Sequence, residues 1–311
     1  MFHEDVSVGF IGFGEAAYEI AKGLRAAGIK EILVCHKRTA DLQRAALVKQ
    51  RAEEVGAKYC GSVREVVQGS HLVFSLVPPA AAVEVAQDAS AYIGHDQVFL
   101  DLTSSEPSEK QHCAKLVEAG GALYIDGAIM GSVPILKHKV LIYISGKNSQ
   151  GIERLLTKYG MNVVMVGNAP GFASGAKMLT SIVTKGLEAL FVETLLAAHA
   201  CGLEDNVLRA VEQFFQMGLN KMVDRFVGSD AVYAKRRVSE MEGAARFLSS
   251  LGVEPIMARA TVKRLEWSAS LNLDQYFQGV SPSSYRQVIE AWEKMGLFAK
   301  GRAGLQEAQL I

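Results

Sequence analysis

The stretch VGFIGFGEAAYEIAKGL, residues 8–24, joins a short apolar run to a helical pattern through two glycines. Gly12 and Gly14 follow the run directly, and Ala17 stands where a third glycine is common. Gly12 permits a tight turn, Gly14 lets the backbone approach a pyrophosphate, and the N-terminus of the following helix favours an anion. The spacing alone also fits a glycine turn without a nucleotide. Its place after the first strand candidate favours a dinucleotide-binding Rossmann domain.

The remaining first half alternates apolar runs with helical patterns. The strand candidates are residues 6–11, 31–35, 57–60, 71–77, 97–102, 122–126, 140–145 and 162–166. Most are apolar on both faces, as is typical of strands covered by helices on two sides. After about Pro170 only helical patterns remain, beginning with a long helix over roughly 172–200. Breaks in these helical patterns are predicted near 201–205, 226–230, 251–255 and 277–284.

These patterns predict two domains. Residues 1–168 are expected to form an α/β Rossmann domain with a doubly wound, mostly parallel sheet. Residues 169–311 are expected to form an all-α domain. A first helix of about 45 Å, at 1.5 Å per residue, is long for a small bundle, so we expect it to be shared between domains or between the subunits of a homodimer.

Composition excludes several classes of function. The 311 residues carry 33 basic and 33 acidic side chains, which leaves no electrostatic case for binding nucleic acid or an anionic membrane. The four cysteines are scattered without metal-ligand spacing, so we expect free thiols and no metal. The start, MFHEDVSVG, lacks the features of a signal peptide, and no apolar run is long enough to span a bilayer. We therefore expect a cytoplasmic protein.

The end of the second strand candidate bears on the cofactor. It reads LVCHKRT, with His36, Lys37 and Arg38 and no acid before Asp41. A carboxylate there would bind the ribose 2′-hydroxyl of NAD, whereas basic groups suit the 2′-phosphate of NADP. The pattern favours NADP, with NAD and a merely solvated basic loop as alternatives. The predicted cofactor contacts are Gly12, Phe13, Gly14, Glu15, Ala16, Ala17, His36, Lys37, Arg38, Val77, Pro78 and Thr103.

Two further segments follow strand candidates at the edge where open α/β sheets bind ligands. The segment DLTSSEP, 101–107, offers Thr103, Ser104 and Ser105 to a nicotinamide. Ser104 or Ser105 would equally serve as an ordinary helix N-cap. The segment DGAIMGSVP, 126–134, is a glycine-rich loop, which by itself indicates no particular function.

The segment SGAKMLTSIVTKGLE, 174–188, places lysines in an apolar helix. One reading is a solvated stripe with a Lys185–Glu188 pair. The other puts Lys177 at the domain junction, where a partly desolvated ammonium could exchange a proton with a substrate hydroxyl while hydride passes to the nicotinamide.

The motifs GFIGFGEAA, DLTSSEP, DGAIMGSVP and GFASGAKMLTS resemble, in order and spacing, those of the β-hydroxyacid dehydrogenases, and the similarity spans the whole chain. That family includes 3-hydroxyisobutyrate and 6-phosphogluconate dehydrogenase. The resemblance implies an NADP-preferring oxidoreductase acting on a small hydroxy acid or keto acid, with Lys177 as the general acid and base. The substrate contacts expected from the motifs are Thr103, Met130, Gly131, Ser132, Ser181 and Arg237.

The chain departs from the family pattern beside the lysine. Ser181 stands where an Asn is usual, and Met130 and Ser132 replace a serine and a glycine of the substrate loop. The segments IMGSVP, KMLTSIVTKG and RRVSEMEGAARFLSSLGVEP look more like an uncharacterised 6-phosphogluconate-dehydrogenase-like subgroup. Arg236 and Arg237 fall where family members bring C-terminal residues towards the active site, although an exposed amphipathic helix explains them equally well.

Two alternatives to a hydroxy acid dehydrogenase stay open. Imine reductases share this architecture but usually lack the lysine. A non-catalytic NADP-binding sensor or assembly subunit would explain the missing Asn and Ser.

Overall fold

A single eight-stranded sheet forms the first part of the protein. The computed structural model describes residues 6–36 and 42–299. The strands are β1 Ser7–Ile11, β2 Glu31–Cys35, β3 Lys58–Tyr59, β4 Leu72–Ser75, β5 Val98–Asp101, β6 Leu123–Ile129, β7 Leu141–Ser145 and β8 Asn162–Gly167. Their order is β3-β2-β1-β4-β5-β6-β7-β8. Neighbours are parallel except β6 and β7, so β7 and β8 run opposite to the rest.

Helices cover both faces of the sheet. They are α1 Glu15–Ala26, α2 Leu42–Glu54, α3 Val63–Gln68, α4 Ala82–Ser90, α5 Pro107–Ala119, α6 Val133–Leu136 and α7 Ser149–Lys158. Successive residues of a strand point to opposite faces. Accordingly Leu72 and Phe74 of β4 belong to one buried apolar cluster, and Val73 belongs to another. The predicted eight strands and the two-sided covering are confirmed.

The second part of the chain is helical, as predicted. Its helices are α8 Phe172–Cys201, α9 Glu204–Gln216, α10 Leu219–Ser250, α11 Ile256–Ser270, α12 Leu273–Tyr276 and α13 Tyr285–Lys294. The predicted break at 226–230 is wrong, because α10 runs through it. A Cβ on Gly228 would lie 2.5 Å from the carbonyl oxygen of Pro282. The glycine therefore permits close packing and does not end the helix.

The chain divides into two compact units, Met1–Ile182 and Val183–Ile311, so the division falls within α8. The predicted boundary between residues 168 and 169 precedes that helix and stays a prediction. In the stretches 6–36 and 42–299, no helix is both long and apolar enough to cross a membrane.

Candidate active site

The glycine turn after β1 leaves the N-terminus of α1 open. Gly12 has φ of +85°, and a Cβ there would lie 2.5 Å from the carbonyl oxygen of Leu76, so no other residue fits without strain. Gly14 is the N-cap residue of α1, and no side chain caps the helix. A Cβ on Gly14 would meet no atom within 4 Å. The uncapped N–H groups and the free space in front of them fit a pyrophosphate.

A cavity of about 950 Å³ opens at this turn. Five of the predicted cofactor contacts line it, namely Gly12, Gly14, His36, Val77 and Pro78. Sequence reasoning did not single out several other lining residues, which include Gly61, Ser62, Ala80, Glu84 and Asp88. Gly61 and Ser62 follow β3, and Ala80 lies in the 3-10 turn Pro79–Ala81 after β4. Their position after parallel strands, at the carboxyl edge of the sheet, is the signal that could have identified them.

The other predicted cofactor contacts lie elsewhere in this region. The Phe13 side chain is buried and packs edge-on against Phe10, with ring centroids 5.9 Å apart. Ala16 and Ala17 pack against the apolar core, and Glu15 is exposed at the first position of α1. Contact by these residues stays a prediction.

The end of β2 forms one wall of the cavity. The backbone N–H of Phe13 donates to Nδ1 of His36 at 3.2 Å, which ties this wall to the glycine turn. Burial raises the pKa of the Cys35 thiol to about 12, so this residue contributes an uncharged wall. Lys37 and Arg38 lie outside the described residues.

Lys177 reaches the end of β5 from the second turn of α8. Its Nζ donates to Oγ of Ser104 at 2.7 Å. Lys177 is half-buried, whereas Ser104 is exposed. Because β1 and β5 run in the same direction, this ammonium lies at the same edge of the sheet as the glycine turn.

The carboxylate of Asp126, in β6, holds the first turn of α8. Its Oδ2 accepts from the backbone N–H of Gly171 at 2.9 Å and from that of Ser174 at 3.0 Å. The hydroxyls of Ser174 and Ser145 donate to the same oxygen at 2.9 and 3.3 Å. A carboxylate at a helix N-terminus also interacts favourably with the helix dipole. Lys177 is thus presented by a helix whose start is bonded to the sheet.

A buried lysine links the ends of β5 and β6. The Nζ of Lys110, in α5, lies 3.1 Å from Oδ1 of Asp101 and 3.6 Å from Oδ1 of Asp126, and the side chain is fully buried. It also donates to the backbone carbonyl of Asp101 at 2.7 Å. Tyr124 donates to Oδ2 of Asp101 at 2.7 Å, and burial together with that carboxylate raises the pKa of the phenol well above its ordinary value. A protonated phenol is therefore kept as a donor.

Two buried hydroxyls lie near this network, those of Thr103 and Ser105. Oγ1 of Thr103 and Oγ of Ser105 make no hydrogen bond to any described residue. Such groups usually find a protein, water or ligand partner. Neither Ser104 nor Ser105 is the N-cap of α5, because that position belongs to Glu106. The N-cap reading of these serines is therefore wrong.

With this geometry in view, comparison with known proteins decides the family. The family described as the NAD binding domain of 6-phosphogluconate dehydrogenase matches residues 7–167, more than half of the chain. The chain belongs to this family. It thus carries the nicotinamide-dinucleotide-binding domain of an oxidoreductase family, as its motifs predicted. A family described as a domain of unknown function (DUF1932) matches residues 198–268.

Relatives of this NAD-binding family member include proteins with and without a known reaction. An uncharacterised 28.5 kDa protein of Methanothermus fervidus is 30% identical over 82% of this chain and 95% of its own length. The 2-(hydroxymethyl)glutarate dehydrogenase of Eubacterium barkeri is 22% identical over 67% of this chain and 68% of its own length. An imine reductase from Streptomyces aurantiacus shares the fold, with a TM-score of 0.71 and 19% identity over 91% of this chain and 98% of that one.

The predicted substrate contacts Met130, Gly131, Ser132 and Ser181 lie on two elements, the loop after β6 and helix α8. Met130 is half-buried after β6, and its N–H donates to the carbonyl of Leu141 at 2.8 Å. Gly131 and Ser132 are exposed in the same loop. Ser181, half-buried, lies one helical turn beyond Lys177. Their contact with substrate stays a prediction.

Arg237 belongs to the helical unit. One guanidinium nitrogen donates to Oγ of Ser229 at 3.0 Å. Arg236 pairs with Glu240 at 3.1 Å on the exposed side of α10, as expected of a solvated helical face. Lys185 and Glu188 form no ion pair in the part of the chain that the structure describes, so that expected pair is wrong.

Lys110 is a further residue of this site that sequence reasoning missed. A signal existed: Lys110 shares one helical face with Cys113, Ala114 and Val117, which are all buried. A lysine at an apolar position of an amphipathic helix must either reach solvent or find a buried partner.

Proposed function

We propose that the protein is an NADP-preferring oxidoreductase that transfers a hydride between a nicotinamide and a small hydroxy acid or keto acid, with Lys177 as general acid and base. Membership of a nicotinamide-binding oxidoreductase family rests on the family match. The observation that supports Lys177 as the general acid and base is its 2.7 Å hydrogen bond to Ser104. It holds a proton donor at the sheet edge where the cofactor cavity opens.

The proposed chemistry divides between cofactor and protein. A bound nicotinamide supplies the hydride for reduction or accepts it in oxidation. In reduction, the carbonyl π electrons move to the oxygen as hydride arrives at carbon, and Lys177 donates the proton that this oxygen takes. In oxidation, the neutral amine of Lys177 accepts the hydroxyl proton. Ser104 orients the ammonium, and Asp126 positions the helix that carries it.

The predicted substrate contacts extend this site. Thr103 offers a buried hydroxyl that has no hydrogen-bond partner among residues 6–36 and 42–299, which suits a bond to a ligand oxygen. Met130, Gly131, Ser132 and Ser181 would surround the substrate. Arg237 stays a predicted contact from the helical unit.

NADP preference rests on the end of β2. No acidic residue precedes Asp41 after that strand, so the carboxylate that would bind a ribose 2′-hydroxyl is missing. His36 lines the cavity at the end of this strand. Lys37 and Arg38 would supply charge for the 2′-phosphate.

A cytoplasmic homodimer completes the proposal. Helix α8 exposes a row of large apolar side chains, each more than half accessible: Leu179, Ile182, Val183, Val192 and Leu196. Such a surface is typical of a face that another chain covers. Two copies of one chain would cover it symmetrically.

An imine reductase is the second candidate, favoured by the fold shared with the Streptomyces aurantiacus enzyme. Lys177 beside Ser104 favours C=O substrates, since the developing oxyanion needs a proton donor. A non-catalytic NADP-binding subunit is the candidate from another class.

One experiment separates these candidates. Single-turnover reduction is followed with NADPH and a panel of 2-keto acids, 3-keto acids and cyclic imines. We expect a keto acid to react, and Lys177→Ala to slow its reduction by about 10²–10⁴-fold. Lys185→Ala, on the same helix and exposed, is the matched control and should keep the wild-type rate.

The outcomes point in different directions. Reduction of imines alone would favour the second candidate. Wild type and Lys177→Ala equally inert, with tight NADPH binding, would favour the non-catalytic subunit. Tighter binding of NADH than of NADPH in calorimetry would contradict the cofactor preference.

A further inference from the structure

A groove in the helical unit is lined by none of the residues proposed to act in hydride transfer except Arg237. It has a volume of about 830 Å³, within the range of small-molecule sites. The lining residues that matter are Asp230 and Arg237 of α10, Arg264 and Trp267 of α11, and Trp292 of α13.

Two indole rings form the aromatic wall of this groove. The ring centroids of Trp267 and Trp292 lie 6.3 Å apart, with the planes tilted by 59°. The Nε1–H of Trp292 is buried and has no hydrogen-bond partner among the described residues. A buried indole N–H without an acceptor is costly.

Two guanidinium groups give the groove a net positive lining. The guanidinium carbon of Arg264 lies 5.0 Å from the ring centroid of Trp267. Neither Arg264 nor Asp230 forms an ion pair with a described residue. Arg237 donates to Ser229 and has further N–H groups to offer. Guanidinium groups match the geometry of a carboxylate with two parallel hydrogen bonds.

We propose that this groove binds a small aromatic carboxylate. The aromatic ring contacts the indole faces, and the carboxylate pairs with Arg264, assisted by Arg237. Asp230, the one acidic group of the lining, disfavours a second negative charge on the ligand. The inference does not depend on the proposed reaction, because it needs no cofactor and no proton transfer.

The chain supplies its own probe. It contains two tryptophans, and both line the groove, so its tryptophan emission reports on this place alone. The intact protein is titrated with 3-phenylpropionate, which has no keto group to reduce, and with 3-phenylpropanamide, which has a similar shape without the charge. We expect a saturable change of emission with the acid and binding of the amide weaker by about tenfold or more.

Variants test the role of the guanidinium. Arg264→Met keeps the aliphatic stem and should weaken binding of the acid by about tenfold, whereas Arg264→Lys should restore part of it. Lys263→Met removes the same charge from the neighbouring exposed position and should bind as the wild type does. Circular dichroism checks that each variant is folded.

The proposal is overturned if the emission does not saturate with the acid, or if acid and amide bind equally. It is also overturned if Arg264→Met binds the acid as the wild type does. None of these outcomes depends on hydride transfer, so failure of the groove and failure of the proposed reaction are distinguishable.

Discussion

The sheet-containing unit and the helical unit differ in how completely their large apolar side chains are buried. In the first, both faces of the sheet are buried by its own helices, and Phe10, Phe74, Phe99 and Tyr124 are almost completely inaccessible. In the second, the one buried apolar cluster found among the described residues is small: Ala231, Leu273, Val288 and Ala291. Large side chains there stay more than half exposed, among them Val192, Leu196, Leu219, Phe247 and Ile256.

Polar groups differ in the same way. The first unit buries Lys110 between two carboxylates and satisfies most of their oxygens internally. The ion pairs of the helical unit that the structure describes, such as Arg236–Glu240 and Arg259–Glu254, lie at the surface. The sheet-containing unit therefore buries its largest apolar side chains and its buried ion pairs by its own contacts, whereas the helical unit leaves many large apolar side chains exposed.

The largest expected effect concerns the exposed apolar face of α8 in the proposed dimer. Leu196→Asp puts a charge on the exposed apolar face, and a buried unpaired charge is very unfavourable. We expect light scattering to give twice the mass of one chain for the wild type and the mass of one chain for the variant. The control is Leu47→Asp, an exposed leucine of the sheet-containing unit. It should leave the mass unchanged, and a monomeric wild type would refute the dimer.

The next effect tests whether the polar network of the first unit is self-contained. Lys110→Met leaves Asp101 and Asp126 without their shared cation, which should lower the free energy of unfolding by about 3–5 kcal/mol. Urea denaturation measures it. Lys115→Met, at an exposed position of the same helix, should change stability by less than about 0.5 kcal/mol. Equal midpoints for the two variants would show that the buried ammonium contributes nothing.

The smallest effect concerns packing within the first unit. A Cβ on Gly23, in α1, would lie 2.0 Å from Cγ of His138. Gly23→Ala must displace that ring, so we expect a loss of about 1–3 kcal/mol in thermal or urea unfolding. Gly151→Ala, in α7, meets no atom within 4 Å and should be neutral or stabilising by up to about 1 kcal/mol. Similar losses of stability in both variants would mean that the helix backbone, and not packing against His138, determines the change.

Local patterns were enough to predict the strands, the glycine turn and the start of the long helix. Burial on both faces makes a parallel strand read as an apolar run, and the turn at Gly12 requires a positive φ. At Gly228 the local signal had two explanations, and the one chosen was wrong. Gly228 was read as a helix break, yet it marks a close approach of the Pro282 backbone, which lies far away in the chain.

The sequence by itself determined the order of the elements, the dinucleotide turn and the presence of Lys177 one turn into α8. Only the tertiary structure decided that Ser104 accepts from Lys177, that Asp126 holds the helix start, and that Lys110 is buried between two carboxylates. The reason is physical. Periodicity and turn geometry depend on neighbours within a few residues, whereas the partner of a buried charge depends on which strand ends the sheet brings together.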